Sequence, residues 1–136
     1  MAVGKIDHVG IAVQSLEEAL GLFRDALGLS FQGTEELPDR HLKVAFLQVG
    51  ESRFELLEPT DPESTVYKFL QKKGEGIHHV ALNVENIEES MKSLEQKGYT
   101  LLDKTPKPGS GGTRIAFVHP KSTNGVLLEL VEGHHE

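Results

Sequence analysis

Apolar residues alternate with polar or small ones over residues 5–13 and again over 76–84, the period of two that a half-buried β-strand requires. Directly after each run the apolar spacing changes to that of a helix, over about 16–27 and about 87–97. Ser15 and Asn86 stand where helix N-caps belong, Glu18 and Glu89 follow three residues later as capping-box partners, and Gly28 and Gly98 stand at the C-terminal ends. Three more strands are expected in each half, about 29–34, 42–49 and 53–58 in the first and about 100–104, 113–119 and 126–131 in the second. The stretch from about 62 to 73 (PESTVYKFLQKK) reads as a linking helix ended by Gly74 and Gly76. The pattern is βαβββ written twice.

The duplication reaches single residues. Residues 6–22 align without gaps onto 77–93, an offset of 71, with six identities in 17 pairs, among them His8/His79 and Glu17-Glu18/Glu88-Glu89. The match returns at Val44-Ala45-Phe46-Leu47 over Ile115-Ala116-Phe117-Val118 at the same offset. It appears once more at residues 54–58 over 128–132 at an offset of 74, so the second hairpin loop is three residues longer. Two copies are too few for a solenoid and point to a pseudo-twofold pair of modules, about 5–59 and about 76–132, within a single domain, 1–136. The expected fold class is α+β: two paired βαβββ modules forming a curved, open-barrel mixed sheet with helices outside and a metal-containing cleft within.

Strand parity sorts the polar residues, because alternate side chains point to opposite faces. Val9, Ile11 and Val13 should pack under the first helix, which sends His8, Gly10 and Ala12 to the other face. By the same parity Val80, Leu82 and Val84 go under the second helix and His79 goes inward, in preference to its neighbour His78. In the strands that close each half, Phe54 and Leu56 share one face and Glu55 the other, as Leu128 and Leu130 do with Glu129. Each half thus offers one inward His and one inward Glu. A carboxylate among strand-core residues is costly unless paired or metal-bound. A lone inward His is best read as a hydrogen-bonded core residue, whereas four residues matched in both parity and repeat favour a metal. The set His8, Glu55, His79 and Glu129 suits a divalent ion such as Zn²⁺, Co²⁺, Ni²⁺ or Mn²⁺.

Composition narrows the partners. With 14 Lys+Arg against 21 Asp+Glu the formal charge is −7, and no basic run of the kind that follows a phosphate backbone occurs, so nucleic acid is not an expected partner. No apolar run approaches the roughly 18 residues of a membrane span, and the start, MAVGKIDHVG, lacks the apolar stretch of a signal peptide. The expectation is a cytoplasmic protein with no membrane partner. The absence of Cys removes disulfides, thiolate nucleophiles and sulfur-ligated zinc, which leaves His, Asp and Glu to hold any metal.

The segments DHVGIAV, LLEPTDPESTV, GIHHVAL, PGSGGTRIAFVHPKS and NGVLLELVE resemble the vicinal oxygen chelate superfamily, the glyoxalase-like paired βαβββ fold, over nearly the whole chain. Within it the chain looks most like the methylmalonyl-CoA epimerases, through the run GGTRIAFVHPKS and its Gly-Val-Leu-hydrophobic-Glu-Leu closing strand. The resemblance implies metal ligands at His8, Glu55, His79 and Glu129, an acyl-CoA substrate, a homodimer, and epimerisation at C2 of methylmalonyl-CoA by removal and return of one proton. The metal would stabilise the enolate, and bases are wanted on opposite faces of that planar intermediate. Some epimerases carry a Glu at the position matching Val44, where this chain has none, so the candidate bases are Glu129 and Glu55. The same fold hosts glyoxalase I, a lactoylglutathione lyase with a similar two-His, two-Glu set, and extradiol-type dioxygenases, whose two-His, one-carboxylate site the fourth ligand argues against. It also hosts non-catalytic small-molecule-binding proteins that generally lack the metal quartet.

Other features carry less. Residues 108–113 (PGSGGT) resemble a phosphate loop but precede a strand, so a hairpin or substrate-covering loop is expected. His119-Pro120-Lys121 reads as a turn, with Lys121 a candidate contact to CoA phosphate, and His41 as a surface residue or a marker of an entrance flap. The terminal pair His134-His135 would bind metal weakly at most.

Overall fold

The computed structural model of the chain describes residues 2–134, so His135 of the terminal pair lies outside the described residues. The first module runs β1 (Val3–Ala12), α1 (Leu16–Leu20), β2 (Ser30–Leu37), β3 (Leu42–Val49) and β4 (Ser52–Pro59). Helix α2 (Thr65–Lys73) links it to β5 (Gly76–Val84), α3 (Ile87–Gln96), β6 (Lys107–Pro108), β7 (Arg114–Val118) and β8 (Leu128–Glu132). Hydrogen-bonded neighbours follow the order β2-β3-β4-β1 in the first module and β6-β7-β8-β5 in the second. In both, the first strand pairs with the last in parallel and the others are antiparallel, which makes each a mixed sheet.

Residues 8–78 form one compact unit, and residues 2–7 with 79–134 form a second. The first and fifth strands are each divided between them. The Asn83 amide of β5 donates to the Asp7 carboxylate at 3.2 Å and the Glu85 N–H to the Ala2 carbonyl at 3.1 Å, which fastens the opening of β1 into the second unit. In the first unit the Gln14 N–H donates to Glu75 at 2.9 Å, just ahead of β5.

Each helix packs on one face of its own sheet. Ile11 of β1 and Val13 just after it, with Leu47 and Leu56, meet Leu16 and Leu20 of α1, and Val84, Ala116, Val118 and Leu130 meet Ile87 and Met91 of α3. The opposite face of the first sheet is partly covered by α2, whose Val66 and Leu70 pack on Ala12, Leu42, Val44 and Leu57. Ser15 Oγ accepts the Glu18 N–H and Asn86 Oδ1 the Glu89 N–H, so both expected N-caps form. A second cap is supplied from the last strand of each module. The Leu16 N–H donates to Glu58 at 2.8 Å and the Ile87 N–H to Glu132 at 3.0 Å, each carboxylate lying at the positive end of a helix dipole. Glu58 and Glu132 are themselves a repeat pair.

Two expectations need correction. The helix over 16–27 is α-helical only to Leu20; Gly21–Ala26 follow with wider π turns, closed by the Leu27 N–H on the Leu22 carbonyl at 2.8 Å. Over a single turn, apolar spacing does not distinguish the two windings. The strand over 100–104 reduces to a bridge between Leu101 and Val118, because the Asp103 carboxylate accepts the Phe117 N–H at 2.7 Å in place of a backbone carbonyl. The short β6 then resumes pairing with β7. Among the described residues no helix is long and apolar enough to cross a membrane.

Candidate metal centre

In each module the closing strand sets one carboxylate in a row between a small residue and a phenyl ring. Glu55 of β4 is level with Gly10 of β1 and Phe46 of β3. Glu129 of β8 is level with Ala81 of β5 and Phe117 of β7. Residues level in neighbouring strands share a sheet face, and a Gly or Ala leaves open the space beside the carboxylate that a larger side chain would fill. The imidazole comes from two positions earlier in the first strand, on that same face.

His8 Nδ1 lies 3.2 Å from Glu55 Oε2, and His79 Nε2 lies 3.0 Å from Glu129 Oε1. All four residues are buried, at 2% exposure for His8, 6% for Glu55, 6% for His79 and 4% for Glu129. Burial follows the parity expectation: His79 is interior, whereas His78 is half-buried and packs edge-on against Phe69 of α2 at 5.1 Å. The modules present opposite ring nitrogens to their carboxylates, so the repeat holds in residue type and not in imidazole orientation.

The donor chemistry fits a divalent ion. Nitrogen and oxygen donors without sulfur match borderline or harder divalent ions.

Arg53 completes the face around Glu55. Its Nε and Nη2 donate to Glu55 Oε2 at 3.2 and 3.0 Å, and its guanidinium lies 4.3 Å from the centroid of the Phe46 ring. In the second module a different element supplies a cation to the equivalent ring: Lys107 Nζ is 5.1 Å from the Phe117 centroid and pairs with Asp103 at 3.1 Å. Repeat comparison misses Arg53, because its counterpart at offset 74 is Leu127. Strand parity could have found it, since it sits two residues before Glu55 on one strand. The phenyl pair Phe46/Phe117 was visible as an identity at offset 71.

Val44 belongs to the apolar cluster under α2, so β3 carries no carboxylate at that position. The Gly-rich loop is a tight turn. Gly109 N–H donates to the Thr113 carbonyl at 2.8 Å, and a Cβ on Gly109 would lie 2.5 Å from Thr113 Oγ1 and 2.6 Å from Ile115 Cγ2, so close packing explains that glycine without a phosphate. His119 Nδ1 accepts the Lys121 N–H at 3.1 Å, capping a short turn over Pro120–Ser122. His41 bridges Asp61 at 2.7 Å and Glu63 at 3.3 Å, joining the turn after β2 to the loop after β4.

Comparison with known proteins follows the same lines. The family model for the glyoxalase/bleomycin resistance protein/dioxygenase superfamily matches residues 7–117. An uncharacterised protein of Bacillus subtilis is 40% identical over 96% of this chain and 93% of its own. The ethylmalonyl-CoA/methylmalonyl-CoA epimerase of Cereibacter sphaeroides is 36% identical over 94% of this chain and 97% of its own. A solved structure of methylmalonyl-CoA epimerase in complex with methylmalonyl-CoA and NH4+ superposes with a TM-score of 0.92 at 36% identity, covering 97% of this chain and 96% of that one. With the paired βαβββ fold shared over this length, the chain belongs to the glyoxalase/bleomycin resistance protein/dioxygenase superfamily and, within it, to the methylmalonyl-CoA epimerase family.

Proposed function

We propose that the chain is a single-domain, metal-dependent epimerase that interconverts the 2R and 2S forms of methylmalonyl-CoA, with one divalent ion held by His8, Glu55, His79 and Glu129. The observation that carries this reading is the twofold repetition of a buried His–Glu pair beside a small residue and a phenyl ring. Support for the substrate comes from the relatives, one of them solved with methylmalonyl-CoA. When bound, a divalent ion supplies Lewis-acid stabilisation of the negative charge that develops as the C2 proton leaves.

The chain's own part is proton transfer and exclusion of water. Glu129, ionised on entry, takes the C2 proton from one face, the C–H electron pair passing into the enolate, and Glu55, protonated on entry, gives its proton to the opposite face, which leaves Glu129 protonated and Glu55 ionised; the reverse order converts the other epimer and restores both. Phe46 and Phe117 border the carboxylates and lower the local dielectric, which strengthens charge interactions along the reaction path. Position 44 offers no base, and that leaves the second proton to Glu55.

Chelator-treated protein given Co²⁺ or Mn²⁺ should exchange the C2 proton of methylmalonyl-CoA in deuterated water, with the glutathione–methylglyoxal hemithioacetal inert. Turnover of the hemithioacetal alone would make the chain a glyoxalase. Silence with both substrates and no metal retained would make it a binding protein. A cytoplasmic location and a homodimer complete the reading, and cell fractionation and light scattering should report the soluble cytoplasmic fraction and about twice the chain mass of 15.0 kDa.

A further inference from the structure

Arg53 has no counterpart in the second module, and the proton transfer proposed above does not use it. Its side chain is 12% exposed and fixed by the Phe46 ring at 4.3 Å. Both of its bonds to Glu55 converge on one oxygen, Oε2, which is also the oxygen 3.2 Å from His8 Nδ1. A guanidinium keeps its charge at any working pH, and a carboxylate oxygen already accepting two charge-assisted N–H bonds gives less electron density to another cation. The oxygen best placed to join His8 on an ion is therefore the one that Arg53 holds.

We propose that Arg53 is a positioning residue that holds Glu55 in competition with the divalent ion and so makes Glu55 the detachable arm of the site. The inference rests on the function proposed above and gives it a missing part. In that turnover Glu55 is ionised once it has given its proton to C2, and Arg53 gives the carboxylate a partner away from the ion within hydrogen-bond reach.

The test is Co²⁺ binding to chelator-treated wild type, Arg53→Met and Arg53→Lys, each also made with Glu55→Gln, followed by calorimetry and by the visible absorption of bound Co²⁺. Arg53→Gln replaces Arg53→Met if circular dichroism shows that the latter does not fold. Arg53→Met should bind Co²⁺ roughly tenfold more tightly than wild type and shift the absorption band, because Glu55 is then given wholly to the ion. Arg53→Lys should stay within about threefold of wild type, since the charge is kept. With Glu55→Gln in place, Arg53→Met should change nothing, which identifies Glu55 as the residue through which Arg53 acts. Weaker or unchanged binding by Arg53→Met, or equal tightening in the Glu55→Gln background, overturns the role of Arg53 alone. Failure of the wild type to bind Co²⁺ overturns the metal site and this inference with it.

Discussion

Replacing His79 by Ala while testing His78→Ala beside it separates the proposed ligand from its neighbour on the same strand. His79 and Glu129 approach to 3.0 Å with side chains 8% and 6% exposed, whereas His78 faces Phe69 at 5.1 Å. A four-ligand zinc site contributes about 10–16 kcal/mol at neutral pH, or about 2.5–4 kcal/mol per ligand, so losing one should weaken metal binding by roughly two to three powers of ten. At a metal concentration about 100 times the wild-type Kd, bound metal stabilises the wild type by about 2.7 kcal/mol, which corresponds to about 8–13 °C in Tm for a chain of this size. The same concentration is at or below the Kd of His79→Ala, which should gain less than about 0.5 kcal/mol, or about 2 °C. Without metal, His79→Ala should itself lose about 1–3 kcal/mol, because the buried Glu129 then has one donor fewer. His78→Ala should lose about 0.5–1.5 kcal/mol from the ring contact and keep the full metal shift. Thermal melts of the three proteins with and without Co²⁺ decide the matter. Equal loss of the metal shift at His78 and His79 would refute the parity reasoning.

Two further predictions concern the frame around the site. The Ile87 N–H, and after it the Arg114 guanidinium, hold the Glu132 carboxyl below the usual carboxylate range, so its stabilisation is present at neutral pH and is lost as pH falls through that lowered value. Glu132→Gln should cost about 1 kcal/mol in urea melts at pH 7 and progressively less as the medium is made more acid, and a cost that does not shrink with falling pH would contradict the assignment. Gly109→Ala should destabilise by about 1–3 kcal/mol, since its Cβ would fall 2.5 Å from Thr113 Oγ1 and 2.6 Å from Ile115 Cγ2. An unchanged Tm with altered substrate binding would instead mark that loop as a ligand contact.

Most of the frame was legible because it is repeated. The strands expected over 42–49 and 76–84 match the observed β3, Leu42–Val49, and β5, Gly76–Val84, and Ser15 and Asn86 cap the helices they were expected to cap. Legibility ended where local spacing is silent about hydrogen-bond partners. The turns over Gly21–Ala26 have helical apolar spacing but π winding, and at Asp103 a side chain takes over a strand's hydrogen bond. The Glu58 and Glu132 caps reach across more than 40 residues, a distance at which no helix-start motif can be seen. At the candidate site, parity and repeat together reach His8, Glu55, His79 and Glu129, all of which are buried. Arg53 escaped because it occurs once, and a search built on duplication returns only what is duplicated.

The most direct test of one shared metal site is to titrate chelator-treated protein with Co²⁺, counting bound ions per chain while following C2 proton exchange of methylmalonyl-CoA in the same samples. One divalent ion held by His8, Glu55, His79 and Glu129 predicts binding that saturates at one ion per chain, with exchange rising in step and reaching its plateau at the same point. Saturation at two ions per chain, one for each His–Glu pair, or full exchange before any metal is added, would contradict it.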